Sequence, residues 1–304
     1  MVNRVTLGIL LGVEFTPEVG LEAQEEANYN RERAAITSIN RFQAWEAREM
    51  TIAKNQRNVL LIHGFPLAGE MWRPQLEFLA AHGWNGIAPD LPGFGRNSSH
   101  SLPAATIDAY ADAVMALLDQ QQLERAVVAG MSMGGYILLN LLARFRERFS
   151  AAVFVATRAE ADDLAGKERR TALAAAARAG GSAEVIGGFD ELLVAPGTVQ
   201  TNPELLERVR RWMKQASAEG LATALLAMRD RPDYRERLAE FDLPALVAGG
   251  GADQLLGPAP YQVLLAGLPR AEGCLLNGAG HLLNQEQPQA FNRCLLKFLD
   301  RLEL

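Results

Sequence analysis

The chain has 304 residues, 49% of them hydrophobic, and 30 Lys and Arg against 36 Asp and Glu give a formal net charge of -6. That is enough apolar chain for one large core with an inserted subdomain, and the acidic balance argues against nucleic acid as a partner. Basic clusters such as Lys167-Glu168-Arg169-Arg170 and Arg208-Val209-Arg210-Arg211 are interleaved with acids or apolar residues, so they read as solvated helix faces.

Asn3-Arg4 followed by the apolar run Val5 to Val13 has the outline of a short signal peptide, but Glu14 and Glu18 follow at once and no Ala-x-Ala cleavage site is present. A strand or an irregular extension is the preferred reading. Glu22, Glu25, Glu26, Arg31, Glu32 and Arg33 then form a charged stretch of helical character. Residues 1-50 are therefore set apart as an N-terminal extension without an assigned place in the fold. No other segment approaches the roughly 18 uncharged apolar residues of a membrane span, so no membrane partner is expected and the expected location is cytoplasmic.

From residue 51 onward, apolar runs predict strands near 58-62, 86-89, 126-131, 152-156, 245-249 and 273-277. They alternate with helical patterns near 70-82, 104-121, 133-147, 258-267 and 287-302, which predicts an α/β fold: a mostly parallel sheet with helices on both faces. Between 157 and 242 the strands stop. Ala172 to Ala179 is alanine-rich, Pro203 to Gln215 and Ser217 to Arg229 carry helical periodicity, and Pro232 and Pro244 punctuate the exit. This segment predicts a helical cap, 157-242, inserted into a core made of 51-156 and 243-304.

The chemistry is concentrated where predicted strands end. Val127-Val128-Ala129 runs into Gly130-Met131-Ser132-Met133-Gly134, a strand-to-helix turn that lifts Ser132 into the open, with glycine where a Cβ would crowd the bend. A serine nucleophile needs a histidine in hydrogen-bond reach and a carboxylate to orient it, and the chain has 4 histidines. His82 sits at the end of a predicted helix, where capping is its ordinary role. His100 lies in the polar loop Asn97 to Ser101, a solvent-exposed position that also suits the rim of a pocket. His63 closes the first predicted strand just before Gly64. His281 ends the glycine-rich Asn277-Gly278-Ala279-Gly280 loop after the last strand, which suits a loop-borne base. For the acid, Leu246-Val247-Ala248 runs out through Gly249-Gly250-Gly251 to Asp253 at the sheet edge where ligands gather in parallel α/β folds. A helix N-cap before Leu255 is the other reading of Asp253, and the two are compatible. The 2 cysteines, Cys274 on a core strand and Cys294 on the last helix, have neither metal spacing nor a disulfide framework and are expected as buried thiols.

With these residues in place, about 58 to 304 resembles the α/β-hydrolase-fold serine hydrolases, whose triad follows the order Ser132, Asp253, His281. His63-Gly64-Phe65-Pro66 is similar to the family's oxyanion loop, Asp90-Leu91-Pro92-Gly93-Phe94-Gly95 to the loop after its next strand, Gly130 to Gly135 to the elbow and Gly280-His281 to the histidine loop. The resemblance implies oxyanion donors at the backbone amides of Phe65 and Met133, with His63 in a structural role. It implies no organic cofactor and no metal. Two departures stand out: Arg96-Asn97 after the Pro-Gly-x-Gly stretch, and an N-terminus that does not read as the family's opening β-hairpin. Gly64-Phe65-Pro66-Leu67, Met131-Ser132-Met133-Gly134-Gly135 and Ala216-Ser217-Ala218-Glu219-Gly220 look most like 3-oxoadipate enol-lactonases and related carboxylesterases. The implied activity is cleavage of a small carboxylic ester or lactone through an acyl-serine. Carbon-carbon bond hydrolases and cofactor-free haloperoxidases or perhydrolases on the same fold are alternatives, and a non-catalytic ligand receptor is the alternative of another class. Arg158, directly after the fourth strand, is a candidate for pairing a substrate carboxylate, with a cap salt bridge or a solvent-facing position as its preferred reading. Neither oligomeric state nor the natural substrate is legible.

Overall fold

The structure, a computed structural model, describes residues 57-180 and 182-303. The N-terminal features, from the signal-like apolar run to the charged stretch, lie outside these residues. Strands β1 Arg57–Ile62, β2 Trp84–Ile87, β3 Ala126–Met131, β4 Phe149–Val155, β5 Ala245–Gly250 and β6 Ala271–Leu276 form one sheet in the order β2-β1-β3-β4-β5-β6. Every neighbouring pair is parallel. The central strands β3 and β5 are buried at every residue, which is why they read as unbroken apolar runs without alternation. Edge strand β6 alternates near its end, with Cys274 and Leu276 buried and Leu275 exposed. The fold class read from the sequence is the one observed.

Local chemistry sets the helix boundaries. The stretch expected as one helix over 70-82 divides into a 3-10 turn, Gly69–Trp72, and α1 Arg73–Ala81, because Pro74 in the first turn favours a fresh helix start. Helix α2 Ile107–Gln120 begins three residues later than expected, since the Thr106 side chain accepts the Ala109 N–H and caps it. Helix α3 Met133–Phe145 begins directly after the serine.

Between β4 and β5 the chain is helical. It forms α4 Leu164–Arg178, α5 Ser182–Ile186, α6 Phe189–Leu192, α7 Pro196–Thr201, α8 Pro203–Met213 and α9 Ala218–Arg229. The side chains of Asp163, Asn202 and Ser217 cap α4, α8 and α9 by accepting the N–H of Gly166, Leu205 and Gly220. Helix α8 buries Leu205, Leu206, Val209, Trp212 and Met213, the spacing of a single apolar stripe. This helical segment meets the sheet's loops backbone to backbone. A Cβ on Gly220 would lie 2.3 Å from the Gly93 carbonyl oxygen, and one on Gly93 would lie 2.4 Å from the Gly220 Cα. The chain closes with α10 Ala259–Gly267, α11 Leu283–Glu286 and α12 Pro288–Leu299.

One expectation fails. Cys274 on β6 and Cys294 on α12 are not buried thiols but a disulfide, with Cα atoms 6.4 Å apart. A strand and a helix that follow one another with a long loop between them pack side by side, and this brings the two sulfurs into bonding range. The inference from reduced thiols to a cytoplasmic location loses its support, because disulfides persist mainly in oxidising compartments. Among the described residues, no helix is long and apolar enough to cross a membrane.

Candidate active site

The strand-to-helix turn at Ser132 is as tight as its glycines imply. Ser132 has φ +52° and ψ -112°, a conformation that costs a non-glycine residue on the order of 1–3 kcal/mol and persists only where its surroundings impose it. Those surroundings are visible. The Ser132 N–H donates to the Val155 carbonyl (2.9 Å), and its own carbonyl accepts from the Thr157 hydroxyl (2.8 Å) and the Gly135 N–H (2.9 Å). A Cβ at 130 would lie 2.3 Å from the Gly134 carbonyl oxygen, and a Cβ at 134 would lie 2.3 Å from that of Ile62. Met133 is the first residue of α3, so its N–H is one of the donors the helix leaves without an internal partner.

The hydrogen-bond ladder continues across the sheet from the elbow, with the Ala156 N–H donating to the Ala248 carbonyl on β5 (2.9 Å). Strand β5 delivers Asp253, and the loop after β6 delivers His281. Asp253 Oδ2 and His281 Nδ1 are 2.7 Å apart, with the two side chains 4% and 2% exposed. Asp253 Oδ1 accepts the N–H groups of Leu255 (2.8 Å) and Leu256 (3.1 Å). Those amides precede α10, so Asp253 closes a turn and does not cap that helix. Burial pushes its carboxyl upward, but the charge and hydrogen bond of His281 and the two amides outweigh burial and hold it below the usual carboxylate range. A carboxylate on Nδ1 fixes the ring so that Nε2 is the free nitrogen, the arrangement a general base requires.

The proposed oxyanion loop packs against the elbow. A Cβ on Gly64 would meet Met131 Sδ at 2.5 Å and Ser132 Cβ at 3.2 Å, so glycine lets this backbone come close. Phe65 is buried, with its ring edge-on to Phe94 (6.2 Å) and to Phe189 of α6 (6.3 Å), and the Phe65-Pro66 peptide is cis. His63 is fully buried; its Nδ1–H donates to the Gly64 carbonyl (2.9 Å) and its Nε2 accepts the Leu91 N–H (3.0 Å). Both nitrogens are occupied, and burial depresses its pKa, so the ring is a neutral brace between two loops. Arg96, a departure in sequence, donates from its N–H (3.0 Å) and Nε (3.3 Å) to Asp90 Oδ2, while Asp90 Oδ1 holds the Gly69 N–H (2.7 Å).

The other candidates separate. His82 is exposed at the end of α1 and donates from Nδ1 to the Phe78 carbonyl (2.8 Å). His100 is half-buried, not fully exposed, and borders a cavity of about 60 Å³ with Ser98, Ser217 and Glu219. Arg158 follows β4 as read, but its Nη2 donates to Asp162 (2.8 Å), and Asp162 also holds Arg231 (2.7 Å) and Arg170. The guanidinium is therefore committed to an ion pair 29% exposed on its side. Two residues near the serine and the histidine escaped the sequence reading. Thr157 braces the elbow, and Glu286 accepts the Gly280 N–H at 2.8 Å beside His281. Neither carries a motif of its own: each acts through a backbone group distant in sequence or in another element.

A family model described as the alpha/beta hydrolase fold matches residues 57–288. The curated 3-oxoadipate enol-lactonase 2 of Acinetobacter baylyi is 30% identical over 231 residues, which is 76% of this chain and 84% of that protein. Among solved structures, a thermophilic esterase from Thermogutta terrifontis with malate bound superposes with a TM-score of 0.78 at 32% identity, covering 81% of this chain and 90% of that one. The enol-lactonase from Burkholderia xenovorans LB400 gives 0.74 at 25% identity, covering 81% and 92%.

Proposed function

The chain belongs to the alpha/beta hydrolase fold family and is a hydrolytic enzyme, and from that membership we propose that it is a serine hydrolase cleaving a small carboxylic ester or lactone through an acyl-serine intermediate. The observation that carries the proposal is the buried 2.7 Å contact between Asp253 and His281, on loops at the same sheet edge as a serine held at φ +52°. In the first half-reaction His281 Nε2 takes the Ser132 hydroxyl proton as Oγ attacks the substrate carbonyl. The Asp253 carboxylate stabilises the imidazolium that forms. The amides of Met133 and Phe65 receive the developing oxyanion. His281 then protonates the leaving alkoxide, which a lactone keeps tethered to the acyl group. In the second half-reaction His281 activates a water that releases the acid and restores Ser132.

The substrate class rests on likeness to an enol-lactonase and an esterase. The malate bound to the esterase relative supports a small, anionic acid portion. The test has two arms. A fluorophosphonate probe followed by peptide mapping should label Ser132; a label elsewhere, or none on folded protein, refutes the nucleophile. A panel of short aryl esters, a carboxylate-bearing enol-lactone and long-chain esters should favour the first two, and preference for long neutral chains refutes the substrate class. Ser132→Ala or His281→Ala should lower kcat by about 10⁴ to 10⁶ with the fold intact.

A further inference from the structure

His281 is gripped on both sides by one short stretch of the helical segment between β4 and β5. On its N-terminal side, the Gly280 N–H donates to Glu286 Oε1 at 2.8 Å. The other oxygen of the same carboxylate, Oε2, accepts the Ala195 N–H (2.8 Å) and the Thr198 hydroxyl (2.6 Å). On its C-terminal side, the Leu282 N–H donates directly to the Leu193 carbonyl (2.8 Å). Contact here is close enough to forbid a side chain: a Cβ on Gly280 would sit 2.2 Å from the Ala195 nitrogen and 2.4 Å from the Val194 carbonyl carbon. The acid loop is tied to the same stretch, with Gln254 Nε2 donating to the carbonyls of Val194 (2.9 Å) and Glu191 (3.2 Å). The oxyanion loop meets it through the Phe65 and Phe189 rings.

We propose that Glu286 is a positioning residue for His281, bridging the histidine loop to residues 193-198 so that the base stays aligned only while that stretch is docked. Glu286 touches no reacting atom. An ionised carboxylate has acceptor sites on both oxygens and no donor, so one oxygen serves the histidine loop while the other serves Ala195 and Thr198. Glutamine in the same place keeps the size but presents one oxygen and an amide that cannot accept, so one half of the bridge must break. The helical segment then does more than wall a substrate cavity, because a shift at 193-198 reaches the base through the Glu286 carboxylate as well as through the direct Leu282–Leu193 hydrogen bond. The role rests on the serine-hydrolase reading given above, since it assigns His281 as the base.

The test separates the two ideas. Glu286→Gln should raise amide hydrogen exchange together in the 193-198 and 279-283 segments, and should lower kcat about 10- to 100-fold, the loss typical of a displacement near 1 Å at a catalytic group. KM should stay within about threefold, since no substrate contact is removed. Thr198→Val, a milder change that keeps the carboxylate, should give a smaller loss of the same kind and should not add to that of Glu286→Gln; it decides the matter if the glutamine variant does not fold. Unchanged exchange around 279-283 overturns the bridge. Faster exchange with kcat within twofold of wild type overturns the positioning role and leaves a purely structural contact. Failure of the fluorophosphonate to label wild-type Ser132 would instead overturn the hydrolase reading, and the exchange measurement would still decide the bridge.

Discussion

Gly135→Ala is the sharpest perturbation of the elbow, because it adds one methyl group and touches no reacting atom. The new Cβ would lie 2.2 Å from Thr157 Oγ1 and 2.5 Å from both Thr157 Cβ and Cγ2, where ordinary contact is 3.4–4 Å. All three side-chain atoms are too close, so rotating Thr157 does not relieve the overlap and α3 or the chain after β4 must shift by about 1 Å. Overpacking of this kind costs about 1–3 kcal/mol. The shift also breaks the Thr157 hydroxyl bond to the Ser132 carbonyl, at about 0.5–1.5 kcal/mol. Alanine in a helix returns about 1 kcal/mol relative to glycine. The balance is a destabilisation of about 0.5–3.5 kcal/mol, accompanied by a fall in kcat approaching 100-fold as Ser132 moves. Urea denaturation and hydrolysis of a short aryl ester measure the two effects. Thr157→Gly should make room, so Gly135→Ala with Thr157→Gly should be more stable than the sum of the single changes. An alanine variant with wild-type stability and rate, or a double variant no better than additive, would refute the reasoning.

Asp162 is buried, which pushes its carboxyl up, but hydrogen bonds from Arg231 and Arg170 bring it down to about 2 from 3.8. A depressed folded pKa means stability that is fully present above pH 3.8 and lost as pH falls toward 2. After allowance for solvent screening this is about 1–2 kcal/mol, and the urea midpoint of the wild type should approach that of Asp162→Asn between pH 5 and 2, which parallel pH profiles would contradict. Arg158→Ala should lower affinity for a carboxylate-bearing lactone about 10-fold relative to a neutral ester if its guanidinium leaves Asp162 for the substrate; unchanged selectivity removes Arg158 from the site. Without reductant the folded protein should yield no free thiol from Cys274 or Cys294, and Cys294→Ser should cost about 3 kcal/mol, as expected for a bridge spanning 20 residues. A thiol titre of two per chain would exclude the disulfide. Phe65→Pro deletes one proposed oxyanion donor and should cost about 10² to 10³ in kcat, whereas full activity would place the second donor elsewhere.

The features that were legible in sequence are those whose causes are local. Unbroken apolar runs mark β3 and β5 because both faces of a parallel strand are buried. The helices at 203-215 and 217-229 are legible because one apolar stripe repeats with the helical period, whereas the caps at Thr106, Asp163 and Asn202 showed only in the structure, where Thr106 starts α2 three residues later than expected. The elbow is legible because a serine turn of this shape leaves no room for a Cβ at 130 or 134. Asp253 and His281 were singled out as proposed acid and base through the scarcity of histidine and the chain order of the resembled triad, while their 2.7 Å contact belongs to the fold. What the tertiary structure decided is which distant groups meet. Cys274 and Cys294 were misread as thiols because spacing does not reveal that β6 and α12 lie side by side. A salt bridge for Arg158 was one of its sequence readings, but its partner Asp162, shared with Arg170 and Arg231, is fixed only when α4 and the chain after α9 pack together. Thr157 and Glu286 gave no signal because they act on the carbonyl of Ser132 and the amide of Gly280, groups every residue possesses. A backbone partner leaves no trace in the sequence. It is chosen by how the segment between β4 and β5 folds back on the sheet, and no local period encodes that return.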